Sequence, residues 1–121
     1  MKKKILFISP TGTLDNGAEI SIVNLMEYLV QTGHQVINAI PDYHVAVQQD
    51  YISSLAALGI ETIALPSVKW WWEDAPGGLP DSPESRARSY QESTSALRKI
   101  LTERKIDLVI TNTVNMFQGA V

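Results

Sequence analysis

Ser9-Pro10-Thr11-Gly12-Thr13, followed after Leu14-Asp15 by Asn16-Gly17-Ala18-Glu19, places hydroxyls, an amide and two glycines between an apolar run and a helix-period pattern. A strand, a glycine-containing loop and a helix start together present free backbone N–H groups and a positive dipole end, which is chemistry suited to an anion. Gly12 and Gly17 stand five apart, so the dinucleotide fingerprint G-x-G-x-x-G is absent. No Gly-Lys-Ser/Thr opens the helix, which removes the P-loop. Asn16 suits the N-cap, and Glu19 then falls at the third helical position as the second half of a capping box. A capped helix start with no ligand is the plainer reading of the same residues.

Other polar residues bearing chemistry lie where apolar runs stop. Asp42 and His44 follow the run Gln35–Ile40, and Asn112 and Thr113 follow Asp107–Thr111. Asp42 suits either a ligand hydroxyl or a strand terminus, while Asn112 and Thr113 suit hydroxyls of a bound molecule. His34 follows a helix end, on the side of the sheet away from these loops, where a cationic cap on the last carbonyls is expected rather than catalysis. Trp70, Trp71 and Trp72 sit in the segment Ser67–Pro83, which carries prolines, adjacent glycines and no periodicity. Burying one such side chain is worth roughly 1.5–3 kcal/mol. Three uses compete for the tryptophans: stacking on a ligand, anchoring at a membrane interface, and forming the loop's own core.

These residues need a scaffold, and the apolar pattern supplies one. Ile5–Ile8, Gln35–Ile40, Ile60–Leu65 and Asp107–Thr111 read as strands. Helical patterns run between them over Ala18–Thr32, Val45–Leu58 and Glu84 to Arg104, and a further one starts at Val114. Ile22, Leu25, Met26 and Leu29 form the expected buried stripe of the first helix; Val47, Tyr51, Leu55 and Leu58 form that of the second. Ala87, Tyr90, Leu97 and Leu101 do so in the third. Gly33 and Gly59 close the first two helices, and Ser82-Pro83 opens the third.

Continuous apolar strands alternating with helices predict an α/β fold: a Rossmann-like three-layer α/β/α domain with a parallel sheet of order 3-2-1-4. Ligands of such sheets bind at the strand carboxyl ends where the order reverses, between strands 1 and 4. The Ser9–Gly17 and Thr111–Asn115 loops therefore flank one expected crevice.

Composition narrows the class. The 121 residues are 45% apolar, enough for the core of one domain. A net charge of −3 with no Lys/Arg cluster beyond Lys2-Lys3-Lys4 argues against nucleic acid as a partner. The absence of cysteine excludes disulfides, thiolate metal sites and cysteine nucleophiles, and fits a reducing cytoplasm. The apolar run after the lysines ends at Ile8, too short for a signal peptide. No window approaches the ~18 apolar residues needed to span a bilayer.

Two resemblances follow from these motifs. Ser9-Pro10-Thr11-Gly12-Thr13 resembles the phosphate loop of flavodoxins, although Leu14 and a further bend separate it from the helix. Receiver domains want acidic residues after strands 1 and 3, where this chain has Ser9-Pro10 and Pro66-Ser67. Over nearly its whole length the chain resembles the N-terminal half of GT-B fold glycosyltransferases, the retaining family 4 in particular. The matches, in order, are Lys4-Ile5-Leu6-Phe7-Ile8, Asn16-Gly17-Ala18-Glu19, Gly33-His34-Gln35-Val36, and Ile106 through Thr113. The family has a second glycine where Asn16 stands, and often a histidine near Asn112-Thr113.

The resemblance implies half of a GT-B fold, an acceptor-side domain spanning 1–121 and truncated from a longer two-domain chain. Gly12, Asn16 and Gly17 would face the donor diphosphate and acceptor. Asp42, His44, Trp70, Trp71, Trp72, Asn112 and Thr113 would be acceptor-binding candidates. Catalytic residues, including an E-x7-E pair, are expected in a C-terminal domain acting in cis. The implied partners are a nucleotide-sugar, which is substrate rather than cofactor, and a glycan or lipid-linked acceptor. No protein-bound metal is implied, and the implied location is the cytoplasm with peripheral contact at the inner membrane face. An FMN-binding flavodoxin-like module and a GT-B sugar-nucleotide epimerase are the alternatives.

Overall fold

A computed structural model of the chain describes residues 2–9, 17–41, 46–65 and 83–111. Four strands, β1 (Lys4–Ile8), β2 (Gln35–Pro41), β3 (Glu61–Leu65) and β4 (Leu108–Thr111), alternate with helices α1 (Gly17–Gln31), α2 (Ala46–Ala57) and α3 (Pro83–Arg104). All pairings are parallel and the sheet order is β3-β2-β1-β4, as the alternation predicts. In register, Phe7 of β1 lies between Asn38 of β2 and Ile110 of β4.

The period of two along each strand divides the core. Ile5, Phe7, Val36 and Ile40 pack with Val23 and Met26 of α1 and with Tyr51 and Leu55 of α2. Leu6, Ile8, Ile37 and Ala39 face the other way and pack with Leu97 and Ile100 of α3. Two successive crossovers in one direction keep α1 and α2 on one face; the return from β3 to β4 carries α3 to the other.

Two helix faces differ from the sequence expectation. Leu25 is exposed at 40%, while Val23 and Met26 are buried. At about 100° per residue, Glu19, Val23, Met26 and Val30 fall within one narrow arc. Leu25 lies 100° around from Met26 and leaves that arc. In α3, Ala87 is exposed, and among the described side chains of the helix the buried ones are Ser93, Thr94, Leu97 and Ile100. The helix has 22 residues, about 33 Å at 1.5 Å each, whereas a five-residue strand spans only about 17 Å. Its N-terminal half therefore outruns the sheet. The side chains of Val47 and Tyr90 lie outside the described residues. Among the described residues no helix is long and apolar enough to cross a membrane.

Gly33 and Gly59 take φ values of 98° and 86°, the left-handed closure expected of helix-ending glycines. At Gly59 an added Cβ would also come within 3.2 Å of Val30 Cγ1. Gly59→Ala is expected to cost about 1–2 kcal/mol, from the left-handed conformation plus this close contact, measured as a lowered urea midpoint with unchanged slope. Lys105, at φ 53°, takes the corresponding position after α3. Glu61 and Arg104 form a two-pronged ion pair at 2.8 and 2.5 Å that ties the start of β3 to the end of α3. Both side chains are more than 40% exposed, so the pair contributes little in water.

Candidate functional site

The strand order reverses between β1 and β4, and there Ile8 and Thr111 are register partners. The segments that follow β1 and β4 therefore leave the sheet from adjacent strand ends, the position at which open α/β sheets hold ligands. Gly17 is the first residue of α1. The helix thus opens with its positive dipole end after the β1 terminus, as the sequence predicts. Gly12, Asn16, Asp42, His44, Trp70, Trp71, Trp72, Asn112 and Thr113 lie outside the described residues.

Immediately beneath this end of the sheet is a polar cluster built from four elements. Ser9 follows β1, Asn38 is in β2, Glu19 is in the first turn of α1, and Gln48 and Tyr51 are in α2. All five are at most 3% exposed. The alternation that directs Phe7 toward α1 and α2 directs Ser9 the same way, and Asn38 shares its face with Val36 and Ile40. The Ser9 hydroxyl donates to Asn38 Oδ1 at 2.7 Å, and Asn38 Nδ2 donates to the Tyr51 hydroxyl at 2.8 Å. Asn38 thus bridges Ser9 and Tyr51, accepting from one and donating to the other. The Ser9 hydroxyl also acts on the Tyr51 phenol, in the sense that favours its charged form.

Burial pushes the Tyr51 phenol up to about 12, the nearby Glu19 charge adds to the rise, and the bonds to Asn38 and Ser9 oppose it. The phenol is therefore a neutral donor at any physiological pH. Glu19 occupies the third helical position expected for a capping box, and its carboxylate lies at the helix end where the dipole favours negative charge. The sequence reading missed this hydrogen-bonded group, although one signal was present. Asn38 is a polar residue in the middle of an apolar strand, and buried amides require partners.

His34 has a different role from the one expected. Its Nδ1 accepts a hydrogen bond from the Lys3 backbone N–H at 3.1 Å, and the Gln35 N–H donates to the Lys3 carbonyl at 2.9 Å. A ring nitrogen that accepts carries no proton, so the imidazole extends the β1–β2 ladder instead of capping α1 as a cation. Asp107 does the same at the other side of β1. Its Oδ2 accepts from the Lys4 N–H at 2.8 Å, and its own N–H donates to the Lys4 carbonyl at 2.9 Å.

No protein-family model matches the chain, and no curated protein does. Among solved structures, the apo form of UGT2 from Phytolacca americana is similar, with a TM-score of 0.54 at 20% identity. The match covers 89% of this chain and 24% of that one, so the chain spans about a quarter of its length. The likeness is one of fold: the chain has a Rossmann-like α/β fold with a parallel sheet.

Proposed function

We propose that the chain is the acceptor-side Rossmann domain of a GT-B glycosyltransferase of the family 4 type. In this reading it helps to move a sugar from a nucleotide-sugar to a glycan or lipid-linked acceptor. The observation that carries the reading is the helix start at Gly17 beside the β1/β4 switch point, on a fold similar to that of a glycosyltransferase. Gly17, with Gly12 and Asn16, contacts the donor diphosphate through backbone N–H groups at the positive end of α1. Asp42, His44, Asn112, Thr113 and the Trp70–Trp72 string contribute to the acceptor side. The remaining donor contacts and the catalytic groups belong to a second domain acting in cis, with the protein working at the cytoplasmic membrane face. The nucleotide-sugar is substrate, and no resident cofactor takes part.

The test is a titration of the 15N-labelled chain with UDP, GDP and FMN, followed by amide shifts. A nucleoside diphosphate is expected to shift Gly17 through Glu19 first, with FMN producing no tight complex. Tight FMN binding with a flavin spectrum would replace this reading with a flavodoxin-like one. Because half the site is assigned elsewhere, the 121-residue chain alone is expected to show no sugar transfer above background with UDP-glucose. Robust turnover by it would overturn the split-site assignment.

A further inference from the structure

We propose that Tyr51 and Asn38 are positioning residues. Through the hydrogen bonds that link Ser9 to Asn38 and Asn38 to Tyr51, they fix the carboxyl end of β1, and with it the point from which the chain departs toward the Gly17 helix start. The linkage is suited to this for three reasons. Its members come from the end of β1, from β2 and from α2, so it joins three elements at one point. It is fully buried, so no water competes for its donors and acceptors. It also holds Ser9 from the side-chain direction while the Ser9 backbone N–H is held by the Ala39 carbonyl at 3.0 Å.

Ser9 is the last described residue before Gly17. A strand terminus held at both its side chain and its backbone gives the chain a fixed origin where it leaves the sheet. Glu19 from the first turn of α1 lies close enough to Tyr51 for its charge to act on the phenol. Helix α1 thus enters the same cluster. Loss of the phenolic hydroxyl removes the acceptor of Asn38 Nδ2 while leaving the aromatic packing of Tyr51 in place. The proposed consequence for ligand binding rests on the diphosphate reading above; the consequence for the β1 terminus does not.

Two readouts on Tyr51→Phe test the proposal, with Ser9→Ala breaking the same linkage at its other end. The first is amide hydrogen exchange. Protection of the N–H at position 9 is expected to fall about fivefold to tenfold relative to Ile37, at the centre of the sheet. Leu58→Ala, just past the end of α2 and half-buried, should lower all protection without singling out position 9. The second is the affinity for UDP, expected to weaken about fivefold or more in both of the first two variants and to stay within twofold in Leu58→Ala. Unchanged relative protection at position 9 overturns the proposal, and so does unchanged UDP affinity in these variants of a chain that binds UDP as wild type. If the wild-type chain binds no UDP, the diphosphate reading fails, and the amide at position 9 alone decides whether the linkage positions the strand end.

Discussion

Phe7→Ala is expected to remove about 3–5 kcal/mol of stability, the usual cost of emptying a fully buried aromatic site. Phe7 is 1% exposed in the central strand β1, flanked in register by Asn38 and Ile110 and packed in the cluster formed with α1 and α2. Strands on both sides fix its backbone, so the cavity cannot close by moving β1. Domains of this size are stable by only about 5–15 kcal/mol, and the variant should sit near its threshold at 37 °C. Urea unfolding followed by circular dichroism measures the effect. A loss below about 1 kcal/mol would mean that the site collapses freely and that Phe7 is not central to the core.

The second large effect is a loss of stability in alkali traceable to one side chain. Tyr51 is raised from 10.0 to about 12 in the folded chain. Between those values the unfolded chain releases a proton that the folded chain retains, so unfolding is favoured as pH rises. The contribution is fully present below pH 10 and is lost progressively up to about pH 12, amounting to about 2–3 kcal/mol. Tyr51 is only 3% exposed, so solvent screening does little to reduce it. Unfolding free energies for wild type and Tyr51→Phe should be measured from about pH 9 to 12. The variant begins less stable because the bond from Asn38 is lost, but the gap should narrow across this window as wild type loses its advantage. Parallel pH profiles would show that the buried phenol is not the group that titrates.

The architecture was legible because its signals are local. Apolar runs such as Leu6-Phe7-Ile8, helix-closing Gly33 and Gly59, and the helix start at Gly17 each declare themselves within a few residues. Alternation and the handedness of crossovers then lead to the order 3-2-1-4. The switch point followed from that order, and the helix start beside it could be anticipated. Leu25 was misplaced because periodicity tells that a helix has an apolar stripe but leaves open where a wide stripe is centred. The neighbouring strands chose Val23 and Met26. Ala87 was misplaced because the pattern of α3 does not state how far the sheet beneath it extends.

What the chain's order of residues determined by itself is a doubly wound parallel sheet whose first helix opens at a strand terminus suited to an anion. Only the tertiary structure decided what lies under that terminus. Ser9 is 29 positions from Asn38, and Asn38 is 13 from Tyr51. No local pattern links them. Parallel register brings Asn38 beside β1, and α2 packing lowers Tyr51 onto both. Burial then makes their hydrogen bonds obligatory, because a polar group cut off from water must find its partner within the protein.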